Sequence, residues 1–310
     1  MQDSARTVAV LATGGTIAGT AADASDNIGY SAAQLGVKAL VDAVPPLREV
    51  PLLTEQVAQL DSKDMDFAVW ATLARRVVEL LARDDIAGIV ITHGTDTLEE
   101  TAYLLQRLLA PARPVVLCAA MRPATALLRD GPQNLLDAVT LAREPGARGV
   151  MAVLAGTVHS ALDVRKVHSY RVDAFGSGDA GPLGYMEEGR LRRLRDWPAG
   201  DALGLGGLAK GDWPWVELIT SHAGARPEGV RALVAAGVKG IVVAGTGNGS
   251  LHHALEAALL EAQRAGVTVW RSTRCGAGPV QMKAGDALHA AGTLTPVQAR
   301  IELMLQLMRA

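Results

Sequence analysis

The sequence contains few cysteines, and this limits the sites that it can form. Its 310 residues include two, Cys118 and Cys275, which lie far apart and lack the spacing of metal ligands. Cys118 falls inside an apolar run, where cysteine usually behaves as a small buried hydrophobic residue. We therefore expect neither a disulfide framework nor a metal site.

An excess of charge and a long apolar segment are also missing. The chain has 30 basic and 32 acidic residues, a formal net charge of −2 and no long basic run, so it offers no electrostatic footprint for nucleic acid or an anionic membrane. No apolar stretch approaches the ~20 residues that a membrane span needs. The opening MQDSARTVAVLATGG enters a strand without the regions of an export signal. These features predict no nucleic-acid or membrane partner, and a cytoplasmic location unless a leader has been removed, in which case a periplasmic one stays open.

Short apolar runs alternate with helical patterns in the first two thirds of the chain. With 49% hydrophobic and 20% charged residues, the composition is that of a globular protein. Continuous apolar runs bounded by Gly, Pro or polar residues favour strands buried on both faces. Such runs occupy 7–13, 87–92, 113–120 and 148–156, and helical periodicity occupies 66–82, 97–110 and 133–143. This alternation predicts a doubly wound, flavodoxin-like α/β domain with a parallel sheet.

The helix at 97–110 has a recognisable start. Thr97 is followed three residues later by Glu100, which is the pattern of a capping box. The sequence therefore predicts that the helix begins just after Asp96 and that these two side chains cap it.

The pattern changes between 189 and 214, where Gly, Pro, Arg and Asp are frequent and no periodicity is sustained. The alternation then resumes on a smaller scale, with strands predicted at 216–220, 239–245 and 266–272 and helices at 226–236, 250–265 and 296–309. We expect a larger N-terminal domain (1–188), a linker (189–214) and a smaller C-terminal α/β domain (215–310).

Two polar clusters follow predicted strands of the first domain. One is TGGTIAG (13–19) and the other is HGTDT (93–97). Ligands of open parallel sheets bind at the carboxyl ends of strands, where glycines let the backbone approach a ligand. Taken singly, the glycines suit an ordinary turn, and Asp96 suits a capping residue. TGGTIAG fits neither common phosphate-binding pattern, so a nucleotide site gains no support.

Seven segments together resemble the bacterial L-asparaginase family. They are TGGTIAG, DSKD (61–64), ITHGTDTLEETAYLL (91–105), AMRP (120–123), DGPQNL (130–135), GPLGY (181–185) and AGTGNG (244–249). Their order and spacing match the family over nearly the whole chain, and EETAY and AMRP resemble the type II branch more than type I. The resemblance implies an amidohydrolase that converts L-asparagine to L-aspartate and ammonia without a cofactor.

The resemblance also implies a catalytic set. Thr16 corresponds to the attacking hydroxyl, which Tyr30 would assist from a Gly/Ala/Ser-rich loop able to close over substrate. Thr95, Lys166 and Asp96 correspond to a second set in which the lysine acts as a base. A buried lysine loses its charge more readily, whereas a carboxylate beside it opposes that loss. Binding of the substrate's α-amino group is therefore a second role for Asp96, and the division of labour between the two threonines stays open.

Substrate binding is implied for further residues of both domains. By motif position these are Ser62, which would hold the substrate's α-carboxylate with neighbouring N–H groups, and Gly15 and Gly94 in the two loops. Asn248 corresponds to a residue that reaches the active site of a neighbouring subunit, so the resemblance implies a homo-oligomer, expected to be a tetramer of intimate dimers.

One feature departs from the type II pattern. The segment RSTRCGAGPVQMKAGDALHAAGTL (271–294) is short and contains no Glu, although type II enzymes supply a glutamate there to bind the substrate's amino group. Gln281 or Asp286 could take its place. We expect asparaginase activity to dominate and glutaminase activity to be low.

Several other functions share part of this sequence pattern. A mixed glutaminase-asparaginase would share the chemistry, and a tRNA-dependent amidotransferase subunit is disfavoured because no basic footprint is present. A non-catalytic amino-acid-binding module would keep the glycine turns but has no need of Thr16, Thr95, Asp96 and Lys166 together. A nucleotide-binding protein lacks a matching phosphate motif.

Overall fold

A computed structural model describes residues 6–208 and 211–309, and the chain divides into two units, the first ending at Leu205 and the second beginning at Gly206. The strands of the first unit are β1 Thr7–Gly14, β2 Leu52–Leu60, β3 Ile86–Thr92, β4 Pro114–Cys118, β5 Gly149–Leu154, β6 Thr157–Ser160, β7 Arg165–Lys166, β8 Phe175–Gly176, β9 Gly184–Glu187 and β10 Arg190–Arg193. Its helices are α1 Val37–Asp42, α2 Phe67–Leu81, α3 Leu98–Leu109 and α4 Gly131–Leu141.

The first unit is built on an eight-stranded sheet in the order β10-β9-β6-β5-β4-β3-β1-β2. Strands β2, β1, β3, β4 and β5 are parallel, in the flavodoxin-like order whose topological switch point lies between β1 and β3. The predicted α/β class and its parallel sheet are confirmed. The antiparallel extension through β6, β9 and β10 was not predicted, and β7 pairs with β8 separately.

The core of this unit lies on both faces of the parallel strands. Residues of the central strands, such as Val10, Val90 and Val116, have no solvent exposure, which explains their unbroken apolar runs. Helix α2 buries Leu73 and Val77 on one stripe, and Asp66 caps its start through a side chain that accepts the N–H of Val69. The sheet is therefore a rigid support for the loops that leave its strands.

Three expectations about local structure need correction. Helix α3 begins at Leu98, as predicted, but no side chain caps it, because the hydroxyl of Thr97 instead donates to Ser62 O at 2.8 Å. The predicted capping box between Thr97 and Glu100 is therefore wrong. Strand β2 was missed, because it lies at the sheet edge and alternates between half-buried and exposed residues. Strand β10 lies inside 189–214, where no element was expected.

The second unit contains a four-stranded parallel sheet in the order β11-β12-β13-β14. Its strands are β11 Val216–Thr220, β12 Gly240–Gly245, β13 Thr268–Thr273 and β14 His289–Ala290, and its helices are α5 Glu228–Ala235, α6 His253–Arg264 and α7 Pro296–Leu307. Helix α7 starts with a capping box between Thr295 and Gln298, which sequence reasoning did not find. The exact domain boundaries stay a prediction.

Among residues 6–208 and 211–309, no helix combines the length and the apolar character needed to cross a bilayer.

Candidate active site

The loop after β1 comes into direct contact with the loop after β3. Gly14 and Gly15 have φ values of 107° and 84°, which glycine adopts without strain. A Cβ on Gly15 would overlap the backbone of Gly94, so only a residue without a side chain fits there. The hydroxyl of Thr13 donates to Thr92 O at 3.0 Å and joins the two strand ends below the loops. The carboxyl ends of β1 and β3 therefore bring the two predicted clusters together at the switch point.

Thr16 begins a short 3-10 turn, Thr16–Ala18, immediately after these glycines. The residue is 7% exposed, and its Oγ1 lies 2.7 Å from the phenolic oxygen of Tyr30. Tyr30 belongs to the loop that leaves this turn and returns through paired hydrogen bonds between Thr20 and Ser31, each 2.9 Å long. The structure thus brings the predicted pair of Thr16 and Tyr30 into hydrogen-bond contact.

The loop after β3 is held from below by His93, a residue that sequence reasoning left without a role. Its Nδ1 lies 2.7 Å from Gly94 O, and since a carbonyl only accepts, Nδ1 carries the proton. Nε2 then accepts from the hydroxyl of Thr101 at 2.9 Å, which in turn accepts from Trp70 Nε1 at 2.8 Å. Complete burial lowers the pKa of His93 to about 4, so the ring is neutral at pH 7 and fixes the Gly94 carbonyl.

Ser62 supports the same loop from a 3-10 turn, Ser62–Asp64, that follows β2. Its hydroxyl accepts the N–H of Asp96 at 3.2 Å, and a Cβ on Gly94 would overlap that hydroxyl. Ser62 is 2% exposed. Three neighbouring strands, β1, β2 and β3, therefore each contribute a segment to one polar site.

Lys166 approaches Thr95 from β7, across 71 residues of sequence. Its Nζ donates to Thr95 Oγ1 at 2.8 Å and forms an ion pair with Asp96 Oδ1 at 2.6 Å. The side chain of Lys166 is 19% exposed and that of Asp96 is 52% exposed. The lysine is therefore enclosed by two site residues, whereas the carboxylate of Asp96 still faces solvent on one side.

The remaining predicted residues lie in the second unit. The side chain of Asn248 donates to Gln281 O at 3.1 Å and accepts the Gln281 N–H at 2.7 Å. Asp286 is engaged in an ion pair with Arg271 at 2.6 Å, in which both side chains are largely buried. Of the two candidates for the missing glutamate, Gln281 therefore has the exposed side chain, and the carboxylate of Asp286 is occupied.

The arrangement contains two hydroxyls with separate proton partners, Tyr30 for Thr16 and Lys166 for Thr95, on loops that touch. Such a pair suits nucleophilic attack on a carbonyl group. Within residues 6–208 and 211–309, no three His, Cys, Asp or Glu side chains are grouped as metal ligands.

The chain belongs to the asparaginase family. Residues 7–198 match the family model described as asparaginase, N-terminal, and residues 215–310 match the glutaminase/asparaginase C-terminal domain. The chain is 39% identical to L-asparaginase 2 of Bacillus subtilis, over 97% of this chain and 82% of that protein. It is 37% identical to a glutaminase-asparaginase of Pseudomonas fluorescens, over 97% and 86%. The crystal structure of a probable cytoplasmic L-asparaginase from Campylobacter jejuni superposes with a TM-score of 0.94 at 38% identity, over 98% and 96% of the two chains.

Proposed function

We propose that this protein hydrolyses the side-chain amide of L-asparagine to give L-aspartate and ammonia, with Thr16 as the nucleophile. The observation that carries the proposal is the pair of separately partnered hydroxyls at one switch point: Thr16 with Tyr30, and Thr95 with Lys166. A threonine hydroxyl is a weak nucleophile at neutral pH and needs a proton acceptor within hydrogen-bond reach. Each hydroxyl here has such a neighbour.

In the proposed reaction, Thr16 Oγ1 attacks the amide carbon and gives its proton to the oxygen of Tyr30, which passes its own phenolic proton on to the amide nitrogen. The C–N bond then breaks, the nitrogen leaves as ammonia with the proton that Tyr30 passed on, and a threonyl ester remains. Water hydrolyses that ester, releasing aspartate and restoring the hydroxyl. Thr95 takes part in the proton transfers through Lys166. As an ammonium, Lys166 donates a hydrogen bond to the Thr95 hydroxyl, and as a neutral amine it accepts one from that hydroxyl. Main-chain N–H groups of the two glycine loops would stabilise the developing oxyanion, other than those of Gly15 and Asp96, which already donate to Leu60 O and Ser62 Oγ.

Recognition of the amino acid backbone falls to Asp96 and Ser62. One oxygen of Asp96 pairs with Lys166, and its second oxygen is the natural partner for the substrate's α-ammonium. Ser62 and neighbouring N–H groups would hold the α-carboxylate. Gly15 and Gly94 carry no side chains, so substrate can lie against the backbone of both loops.

We further propose that the site is completed by a neighbouring subunit in a homo-oligomer, expected to be a tetramer. Asn248 and the side chain of Gln281 would then recognise the substrate's amino end, with a neutral amide in place of a carboxylate. On this view asparagine is preferred over glutamine. A mixed glutaminase-asparaginase is the second candidate, since one relative has that name. A cytoplasmic location is proposed by likeness to a relative described as cytoplasmic.

Ammonia release measured on L-asparagine, L-glutamine and D-asparagine tests the proposal, with the solution mass determined on the same sample. We expect ammonia from L-asparagine and a higher kcat/KM than for glutamine. Binding of asparagine without ammonia release would favour a non-catalytic amino-acid-binding module instead.

A further inference from the structure

Glu99 is a half-buried carboxyl group that the proposed reaction does not use. It lies in the first turn of α3, three residues after Asp96, and its carboxylate accepts a hydrogen bond from the main-chain N–H of Lys166. This contact joins α3 to β7 at the residue whose side chain reaches Thr95. A carboxylate at the start of a helix is also favoured by the helix dipole.

Strand β7 has little other support in the sheet. It consists of two residues that pair with the two residues of β8. The N–H of Val167 donates to Ala174 O at 2.8 Å, and because N–H directions alternate along a strand, the N–H of Lys166 lies on the side away from β8. Glu99 satisfies that group, which would otherwise be a half-buried donor without a partner in the ladder.

Lys166, the proposed base, is held to the start of α3 by both its side chain and its main chain. The side chain of Lys166 reaches Thr95 and Asp96, which immediately precede α3, and its main chain is held by Glu99 in the first turn of the same helix. We propose that Glu99 is a positioning residue, which fixes the main chain of Lys166 so that Nζ stays within hydrogen-bond distance of Thr95, and which does so best as a carboxylate. This inference rests on the proposed function, because it assigns Glu99 a role through Lys166.

The pKa of Glu99 lies in a pH range in which enzyme activity can be measured. Burial and, to a smaller extent, the neighbouring charge of Glu100 raise its pKa to about 7, against the opposing effects of the Lys166 N–H and of the charges of Arg165 and Lys166. A carboxylate accepts an N–H more strongly than a neutral carboxyl group does. As the pH falls through 7, the hold on Lys166 therefore weakens.

The test compares kcat for L-asparagine between pH 5.5 and 8.5 in the wild type, Glu99→Gln and Glu100→Gln. The amide of Glu99→Gln still accepts the Lys166 N–H but binds no proton, so we expect the fall of kcat near pH 7 to disappear. Glu100→Gln removes the neighbouring charge that raises the pKa of Glu99, so we expect the fall to remain and to move to lower pH. Glu99→Ala removes the acceptor, and kcat should fall by about 10-fold to 100-fold across the range, with a smaller change in KM.

Two results would overturn the inference. In the first, the kcat of Glu99→Gln falls at the same pH as the kcat of the wild type. In the second, Glu99→Ala has the same kcat as the wild type. Circular dichroism and solution mass identify a variant that has failed to fold, and the isosteric Glu99→Gln then decides the question alone. Lys166→Met is measured alongside. If Lys166→Met retains turnover, the proposed function itself is wrong, whereas an inactive Lys166→Met with an unchanged Glu99→Gln profile rejects only the role of Glu99.

Discussion

The backbones of Gly15 and Gly94 touch, although 79 residues of sequence separate them. A Cβ on Gly15 would overlap the Cα and N of Gly94, and a Cβ on Gly94 would lie 3.2 Å from Gly15 Cα. This contact presses the loops that carry Thr16 and Thr95 against each other. It explains in steric terms why both clusters contain a glycine immediately before the threonine.

Replacing Gly94 with alanine should therefore disable the enzyme more than it unfolds it. The new Cβ would overlap the hydroxyl and Cβ of the buried Ser62, and the loop must shift to make room. We expect turnover to fall by about 100-fold, since displacements near 1 Å have effects of that size, and stability to fall by about 1–3 kcal/mol. Steady-state kinetics and denaturant unfolding measure the two effects.

Gly229→Ala is the matched control for this substitution. Gly229 lies within α5, where a Cβ meets no atom within 4 Å, so the alanine should leave turnover unchanged and raise stability by about 0.5–1 kcal/mol. Equal turnover in Gly94→Ala and Gly229→Ala would contradict the importance of the loop contact.

Acid should destabilise the fold through buried histidine. Burial lowers the pKa of His159 to about 4, and its ring is hydrogen-bonded to Ser177 Oγ at 2.8 Å. Between pH 6.5 and 4 the unfolded chain binds a proton that the folded chain does not, so folded stability decreases as the pH falls through that window. For this group the loss amounts to roughly 3 kcal/mol in total.

His159→Asn isolates this effect from the other titrating groups. The opposing contributions of Glu99, Asp130 and Asp137, whose pKa values burial raises, are common to both proteins and cancel in the difference. We expect the variant to be less stable than wild type at pH 7.5 and to recover most of that difference by pH 4.5. A stability difference that stays constant with pH would show that His159 titrates normally.

Asn248 and Gln281 give a test of substrate recognition. Asn248 fixes the main chain of Gln281 through two hydrogen bonds, so Asn248→Ala and Gln281→Ala should both raise the KM for L-asparagine, with a smaller change in kcat. Measuring solution mass in parallel separates a recognition defect from loss of assembly. An unchanged KM in both variants would remove these residues from the site.

The parallel strands and their helices could be predicted because burial on two faces gives an unbroken apolar run and burial on one stripe gives helical spacing. The first four predicted strands correspond to β1, β3, β4 and β5, all central in the sheet. The edge strand β2 has no such run, since one side of it faces solvent. Edge strands and short antiparallel additions are therefore the elements that apolar runs fail to reveal.

The site could be predicted where it follows a strand and only by resemblance where it does not. Thr16 and Thr95 stand at strand ends, a position with a physical meaning in the sequence. Lys166 and Tyr30 stand in polar segments without periodicity, and their contacts depend on how those segments fold back. The predicted cap at Thr97 is the converse error. A pattern local in the sequence indicated a helix cap, but the Thr97 hydroxyl donates instead to Ser62 O, 35 residues away.

Thr16 and Thr95 are proposed to act on the same amide group, and kcat for L-asparagine in Thr16→Ala, Thr95→Val and the double variant is the decisive measurement. We predict that each single variant, while remaining folded, loses roughly 100-fold to 10,000-fold in kcat. The double variant should be little worse than either, because residues that work as a unit are not additive. Wild-type turnover in either single variant would contradict the claim.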